Sequence, residues 1–118
     1  MRQTKYAGLH IIADFWRGRD IVNPRELKKI LLQAARESQN TPLEVSIHTF
    51  SPQGITGVVL LAESHIAIHT WPEIEYVSVD IFTCGQGAKA ENALEFLRKE
   101  LKPKKIAVKT MKRGKMKS

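Results

Sequence analysis

The order of its apolar patterns constrains this chain more than any other feature of the sequence. Four segments typical of strands, at residues 43–50, 55–62, 65–70 and 76–83, follow one another with only short turns between them. Turn-forming residues separate them, as Pro52 and Gly54 do between the first two. Because consecutive strands joined by short turns pair as antiparallel neighbours, the sequence predicts a mainly antiparallel sheet.

Two helices and two further strands are predicted around this block. A strand at residues 6–16 precedes a helix for which Asn23 is the predicted N-cap and Pro24 the first helical residue. After a glycine-rich turn at residues 85–87, a second helix is predicted at residues 88–101 and a last strand at residues 106–111. The order β-α-β-β-β-β-α-β predicts an α+β fold, a two-layer α/β sandwich with both helices on one face of the sheet.

This arrangement leaves the other face of the sheet without helices. Residues 55–62 are apolar except for Thr56 and Gly57. Taken literally, this run predicts a strand that is buried on both faces. An apolar sheet face must pair with something, and a second copy of the same chain is the simplest partner. The sequence therefore predicts a homodimer that pairs through this face.

Length and composition restrict the class of protein. We expect residues 1–118 to form a single domain, because independent cores usually need about 100–150 residues. The apolar runs are far shorter than the ~20 residues that cross a bilayer, and we find no signal-peptide core, so we expect a cytoplasmic protein. The single cysteine, Cys84, excludes an intrachain disulfide and fits a reducing compartment.

The net charge of +7 is concentrated at the C-terminal end. Residues 102–118 contain eight basic and no acidic residues, whereas the rest of the chain carries 11 basic and 12 acidic residues. A small basic nucleic-acid-binding module is therefore an alternative function, and it predicts salt-sensitive binding to DNA or RNA. We favour a solvated basic tail at about residues 109–118, because the charges are not interleaved with aromatic residues.

The residues best suited to chemistry lie in and just after residues 61–73. Ser64, His69 and Glu73 fall within ten residues, and Cys84 follows eleven residues later. A nucleophile, a base, a carboxylate and a thiol are thus available, although this spacing alone defines no site. The chain has no G-x-S-x-G motif of an α/β-hydrolase, and the histidines lack the H-E-x-x-H spacing of a zinc site.

Four blocks of sequence together resemble the prokaryotic S-adenosylmethionine decarboxylases, a family of pyruvoyl-dependent, self-cleaving proenzymes. Residues 62–66 (AESHI) and 68–73 (IHTWPE) are similar to the self-cleavage region of that family. Residues 8–15 (GLHIIADF), 50–57 (FSPQGITG) and 79–85 (VDIFTCG) are similar to three further blocks. The blocks are spread over most of the chain, in the order and at the spacing of the family.

The resemblance implies that the chain cuts itself between Glu63 and Ser64, giving a β chain of residues 1–63 and an α chain of residues 64–118. Ser64 becomes the covalent pyruvoyl group, which forms a Schiff base with the substrate. His69 is implied as the processing base that removes the α-proton, since imidazole titrates near neutral pH. Thr56 is implied as a processing assistant that stabilises charge on oxygen; the family usually has serine there, and threonine keeps the hydroxyl with fewer rotamers.

The resemblance also implies roles in turnover. Cys84 is the implied proton donor to the substrate, Phe50 and Trp71 flank the adenine, and Glu73 holds the ribose hydroxyls. The implied function is decarboxylation of S-adenosylmethionine, which supplies the aminopropyl donor for spermidine biosynthesis, in a homodimer with its sites between protomers and without a metal. A pyruvoyl-dependent arginine decarboxylase of the same fold family is the enzymatic alternative.

Overall fold

The computed structural model describes residues 6–84 and 89–116. The strands in these ranges are β1 (Gly8–Trp16), β2 (Pro42–Thr49), β3 (Ile55–Leu61), β4 (Ser64–Trp71), β5 (Tyr76–Cys84) and β6 (Lys105–Arg113). The helices are α1 (Pro24–Glu37), α2 (Ala90–Leu101) and a short 3-10 helix (Pro72–Ile74) between β4 and β5. The predicted order of strands and α-helices is confirmed; the turn predicted at residues 85–87 lies outside the described residues.

The start of α1 follows directly from its sequence. Asn23 has an extended backbone, and its side chain accepts a hydrogen bond from the backbone N–H of Arg25 at 2.8 Å. Pro24 occupies the first turn, where a backbone N–H would have no partner within the helix, so the N–H that proline lacks costs nothing. Five residues at helical spacing then form the buried stripe of α1: Leu27, Ile30, Leu31, Ala34 and Ala35.

The six strands form one sheet in the order β2-β3-β4-β5-β1-β6, and every neighbouring pair is antiparallel. Helix α1 packs on β2, β3 and β4, and α2 packs on β5 and β1 of the same face. The core between helices and sheet includes Phe15, Ile66 and Ile81, which are almost completely buried. The predicted α+β two-layer sandwich is confirmed.

The opposite side of the sheet, called the open face below, is covered by none of the described elements. Its exposed apolar side chains include Ile12, Leu60, Trp71 and Met111, which are 40–46% exposed. The expectation that residues 55–62 are buried on both faces is therefore wrong. Strand β3 alternates between buried and more accessible residues, because only its helix-facing side chains have a partner layer.

Strand β6 forms one edge of the sheet. It pairs with β1 and takes in residues 109–113 of the expected basic tail. The Lys105 ammonium lies 5.2 Å from the centre of the Trp16 ring, where a cation is attracted to the π face. Much of the basic segment is thus part of the folded sheet. Within the described ranges, neither α-helix is long and apolar enough to cross a membrane.

Candidate active site

The side chains expected to act together fall into two groups at opposite ends of the sheet. We call the first group the cleavage end; it contains Glu63, Ser64 and Cys84. We call the second group the aromatic end; it contains Phe50, Thr56, His69, Trp71 and Glu73. Strand β4 runs from one group to the other, beginning at Ser64 and ending at Trp71.

The two groups are too far apart to meet within one chain. Ser64 and His69 are five residues apart on β4, which corresponds to about 17 Å in an extended strand. Thr56 lies opposite His69 in the β3–β4 register and is equally distant from Ser64. The structure of a single chain therefore brings Cys84, but not His69 or Thr56, to the Glu63–Ser64 peptide bond.

At the cleavage end, a thiol contacts the carbonyl of the peptide bond that is expected to break. Residues 62–63 form the turn between β3 and β4, and Cys84 is the last residue of β5. The Cys84 thiol donates a hydrogen bond to the backbone carbonyl oxygen of Glu63, with 2.7 Å between sulfur and oxygen. Since a donor at this oxygen stabilises the negative charge that develops when a nucleophile attacks the carbonyl carbon, the bond is polarised for attack.

The protonation state of Cys84 suits this contact. Burial, and to a lesser degree the negative charge of Glu63, raises the pKa of the Cys84 thiol above its ordinary value. The sulfur therefore keeps its proton at neutral pH, and only the protonated thiol can donate to the Glu63 carbonyl oxygen.

At the aromatic end, Thr56 fixes the imidazole of His69. The two residues face each other across β3 and β4, and Thr56 Oγ1 lies 2.9 Å from His69 Nδ1. When Nδ1–H donates to the hydroxyl, Nε2 is left with a free lone pair and can accept a proton. Thr56 thus contacts the candidate base directly, a role different from the charge stabilisation implied by sequence resemblance.

Phe50 and the end of β4 both lie close to Gly54. The N–H of Phe50 donates to the carbonyl of Gly54 at 2.8 Å, and a Cβ at Gly54 would lie 3.2 Å from the backbone oxygen of Thr70, next to Trp71. Gly54 has a φ of +102°, which favours glycine. Phe50 is 52% and Trp71 40% exposed. Two accessible aromatic side chains thus lie near Gly54 at the aromatic end.

Glu73 lies in the 3-10 helix that follows Trp71 directly. Its side chain is exposed, so its carboxylate is accessible to the hydrogen-bond donors of a ligand.

Two residues of the aromatic end, Tyr76 and Asp14, were not among the residues predicted from the sequence. Tyr76 stacks on Trp71 with ring centroids 5.3 Å apart, and its hydroxyl donates a hydrogen bond to the Asp14 carboxylate. The contact between Tyr76 and Trp71 could have been predicted from the sequence. The short connection between β4 and β5 places the end of one strand opposite the start of the next.

His10, on β1, belongs to a network of polar contacts on the open face. His10 Nε2 pairs with the Asp80 carboxylate, and Arg113 Nη1 lies 3.0 Å from His10 Nδ1. Both ring nitrogens are therefore engaged, across three adjacent strands. In residues 6–84 and 89–116, no three His, Cys, Asp or Glu side chains are grouped in a way that would hold a metal ion.

Comparison with known proteins identifies the family. A family model described as S-adenosylmethionine decarboxylase matches residues 9–114. The S-adenosylmethionine decarboxylase proenzyme of Methanococcus aeolicus is 44% identical over 114 residues, which cover 95% of this chain and 97% of the relative. The proenzyme of Carboxydothermus hydrogenoformans is 43% identical over 111 residues, covering 92% and 87% of the two chains.

A solved structure agrees with the sequence matches. The crystal structure of the adenosylmethionine decarboxylase from Aquifex aeolicus superposes with a TM-score of 0.88 at 37% identity, covering 97% of this chain and 96% of the other. The match of the family model, residues 9–114, includes both groups of site residues. The resemblance inferred from the four sequence blocks is confirmed, and the chain belongs to the S-adenosylmethionine decarboxylase family.

Proposed function

We propose that this chain is a self-cleaving proenzyme that matures into a pyruvoyl-dependent S-adenosylmethionine decarboxylase and supplies the aminopropyl donor for spermidine biosynthesis. Membership of the family supports the reaction, and relatives named as proenzymes support the maturation. The observation that carries the proposal is the 2.7 Å contact between the Cys84 thiol and the Glu63 carbonyl oxygen. It puts a hydrogen-bond donor on the one carbonyl that must be attacked.

Cleavage begins with the hydroxyl of Ser64. Its oxygen attacks the carbonyl carbon of Glu63 while the Cys84 thiol stabilises the developing negative charge on the carbonyl oxygen. The C–N bond then breaks, and the acyl group passes from nitrogen to oxygen, which leaves an ester and a free amino group on Ser64. The geometry of the β3–β4 turn supports this step, because Ser64 follows directly after an exposed Glu63.

A base completes the cleavage by removing the α-proton of Ser64. The electron pair of that C–H bond forms a C=C bond and expels the Glu63 side of the ester as a carboxylate. Water then replaces the nitrogen, which leaves as ammonia, and a ketone remains at the start of the α chain. We assign the base to His69, whose Nε2 is available when Nδ1–H donates to Thr56.

The cleavage end fits the resulting group. A pyruvoyl group supplies an electrophilic ketone that accepts the electron pair left when a carboxylate departs as CO₂. Residue 64 begins a strand held between β3 and β5, so the new end of the α chain stays in the sheet after cleavage. Cys84 remains beside it, protonated through its raised pKa, and is placed to return a proton to the substrate.

The aromatic end supports a nucleoside substrate. We infer that Phe50 and Trp71 form an adenine slot by stacking on the base, that Glu73 accepts hydrogen bonds from the ribose hydroxyls, and that the positively charged sulfonium is attracted to aromatic faces. Arginine has no planar ring system and no sugar hydroxyls for these groups. We therefore favour S-adenosylmethionine over arginine.

A homodimer would bring together the cleavage end and the aromatic end, which are too far apart within one chain. Two copies paired through their open faces about a two-fold axis bring the cleavage end of one protomer to the aromatic end of its partner. Each of two equivalent sites then takes Ser64 and Cys84 from one chain and the base, its threonine and the adenine slot from the other. The exposed Ile12, Leu60 and Met111 between the two ends support this pairing, since the contact would remove them from water.

The overall proposal is tested on freshly purified protein. We expect intact mass spectrometry to find two chains, residues 1–63 and 64–118, the second with a carbonyl-reactive N-terminus. We expect CO₂ release from carboxyl-labelled S-adenosylmethionine but not from labelled arginine. A single uncut polypeptide would contradict the self-cleavage, and turnover of arginine alone would assign the chain to the other pyruvoyl-dependent activity.

The shared site makes a separate prediction for mixed dimers. Ser64→Ala and His69→Ala homodimers should both remain uncut, because each lacks one group at both sites. Co-expression of the two variants should restore cleavage, since one site of a mixed dimer combines Ser64 of one chain with His69 of the other. With equal expression, about half of the His69→Ala chains pair with the other variant, and only these chains should be cut.

Different affinity tags on the two chains make this test decisive. Mass spectrometry of dimers that carry both tags reports which chain is cut, and co-expression of two differently tagged Ser64→Ala chains is the matched control. Mixed dimers without any cut chain would show that His69 acts within its own chain or not at all.

A further inference from the structure

A row of side chains crosses four strands at the aromatic end of the open face. The strand register places Trp71 opposite Tyr76 and Tyr76 opposite Trp16. The Trp71 and Tyr76 rings are stacked, 5.3 Å apart at 27°, and the Trp16 ring lies 5.7 Å from Tyr76 at 31°. Lys105 covers Trp16 from β6. We call Trp71, Tyr76, Trp16 and Lys105 the aromatic row.

Tyr76 is the best-fixed member of this row. Its ring has an indole on either side, and its hydroxyl donates to the Asp14 carboxylate on β1. Burial, then the hydrogen bond and the charge of Asp14, raise the pKa of Tyr76 to about 12. The hydroxyl therefore stays protonated and bonded to Asp14 throughout the physiological pH range.

Trp71, in contrast, is an accessible member of the row at the end of its strand. It ends β4, is 40% exposed and precedes Pro72, which takes the chain into the 3-10 helix. Tyr76 stacks against it from β5, and the His69 ring, two residues earlier on β4, lies 6.0 Å from it at 38°. Tyr76 is thus the neighbour that is stacked on the indole.

We infer that Tyr76 is a positioning residue that holds the Trp71 indole in place to stack on the base of the substrate, with Asp14 anchoring Tyr76. This inference rests on the proposed function, in which Trp71 flanks adenine. A ring that is already ordered loses less conformational freedom when the ligand binds, so the benefit is realised in affinity. An interaction that affects substrate and transition state equally changes KM and leaves kcat unchanged.

The kinetic test compares two substitutions of Tyr76. Tyr76→Leu removes the stacked ring, and we expect the KM for S-adenosylmethionine to rise about tenfold while kcat and the extent of self-cleavage stay within about twofold of wild type. Tyr76→Phe keeps the ring and loses only the hydroxyl anchor, so it should restore KM to within about threefold. Phe96→Leu, on α2 and away from the open face, is the control for loss of a partly buried aromatic side chain.

A binding measurement isolates the adenosine part of the substrate. 5′-Methylthioadenosine contains adenine and ribose but neither the amine nor the carboxylate that take part in the reaction. Calorimetry on the cleaved protein should show its Kd rising about tenfold in Tyr76→Leu and little in Phe96→Leu. Asp14→Asn, which keeps the size of the side chain and removes its charge, should weaken binding by about two- to threefold.

The outcomes separate this inference from the proposed function. A wild-type protein that neither cuts itself nor turns over S-adenosylmethionine would refute the function, whatever Tyr76 does. An active wild type with unchanged KM and Kd in Tyr76→Leu would refute the positioning role alone. A fall in kcat and thermal midpoint without a change in KM would also refute it, because that pattern indicates a purely structural contact. Should Tyr76→Leu not fold, unchanged binding in Asp14→Asn would refute the anchoring.

Discussion

Ser64→Ala is expected to give a chain that folds normally, stays in one piece and has no decarboxylase activity. Alanine has no hydroxyl to attack the Glu63 carbonyl, and the Cys84 thiol at that carbonyl is a protonated hydrogen-bond donor. Without the ketone there is no electron acceptor, so turnover should fall to background, a loss of at least about 10⁴-fold. A denaturing gel and intact mass spectrometry measure the cleavage, and labelled CO₂ release measures the activity.

Ser46→Ala is the matched control for this substitution. Ser46 is an exposed serine on β2, and its loss should leave cleavage and turnover unchanged. Fragments of normal mass from Ser64→Ala would remove Ser64 as the nucleophile. An unfolded Ser64→Ala chain would show by circular dichroism, and Ser64→Cys, which keeps a nucleophile, then tests the same step: it should cut itself where alanine does not.

Cys84→Ala is expected to separate the two reactions of the protein. Cleavage should slow by about 10²-fold, because one donor to the Glu63 carbonyl oxygen is lost while the Ser64 hydroxyl remains. Part of the protein should therefore still mature over a long incubation. Turnover per cleaved chain should fall by about 10²- to 10⁴-fold, since the substrate carbon loses its proton donor. Cleavage and turnover at wild-type rates would remove Cys84 from both steps.

The pH dependence of cleavage provides a second measurement on Cys84. The raised pKa keeps the thiol protonated to higher pH than an ordinary cysteine, and the hydrogen bond to Glu63 is lost only when the pH exceeds that raised value. The cleavage rate of wild type should therefore fall in the alkaline range. Cys84→Ser keeps a donor that does not ionise there, so its cleavage should lack this fall. An identical alkaline fall in Cys84→Ser would assign it to another group.

Local patterns predicted the elements of this fold, but not their order in the sheet. Asn23 and Pro24 marked the start of α1 because caps act through contacts within one turn of the chain. The position of β1 between β5 and β6 depends on packing between residues distant in sequence, on which local periodicity carries no information. The apolar run in β3 misled for a related reason. It indicates a preference for burial, but whether a second layer covers the open face is decided outside the strand.

The candidate site, too, could be predicted from the sequence only in part. Ser64, Cys84 and the residues of the aromatic end were recognisable from blocks of sequence, but strand alternation places Ser64 with Ile66 and Ile68 on the helix side, whereas His69 and Trp71 lie on the open face. The contact of Cys84 with the Glu63 carbonyl depends on how two strand ends meet, and the stacking of Tyr76 on Trp71 depends on register. Distances along the sheet thus had to come from the structure.

The sheet order has a consequence for what the proposed cut leaves behind. Strands encoded before the cut occupy the first, second and fifth positions in the sheet, and strands encoded after it occupy the third, fourth and sixth. Separating the two products would mean breaking the backbone pairing at β3–β4, β5–β1 and β1–β6 at once. The two products therefore stay paired in one sheet, and cutting the backbone frees only the tip of the β3–β4 hairpin. A nascent chain severed before β5 and β6 emerge would leave β1 without either neighbour, so assembly has to precede scission.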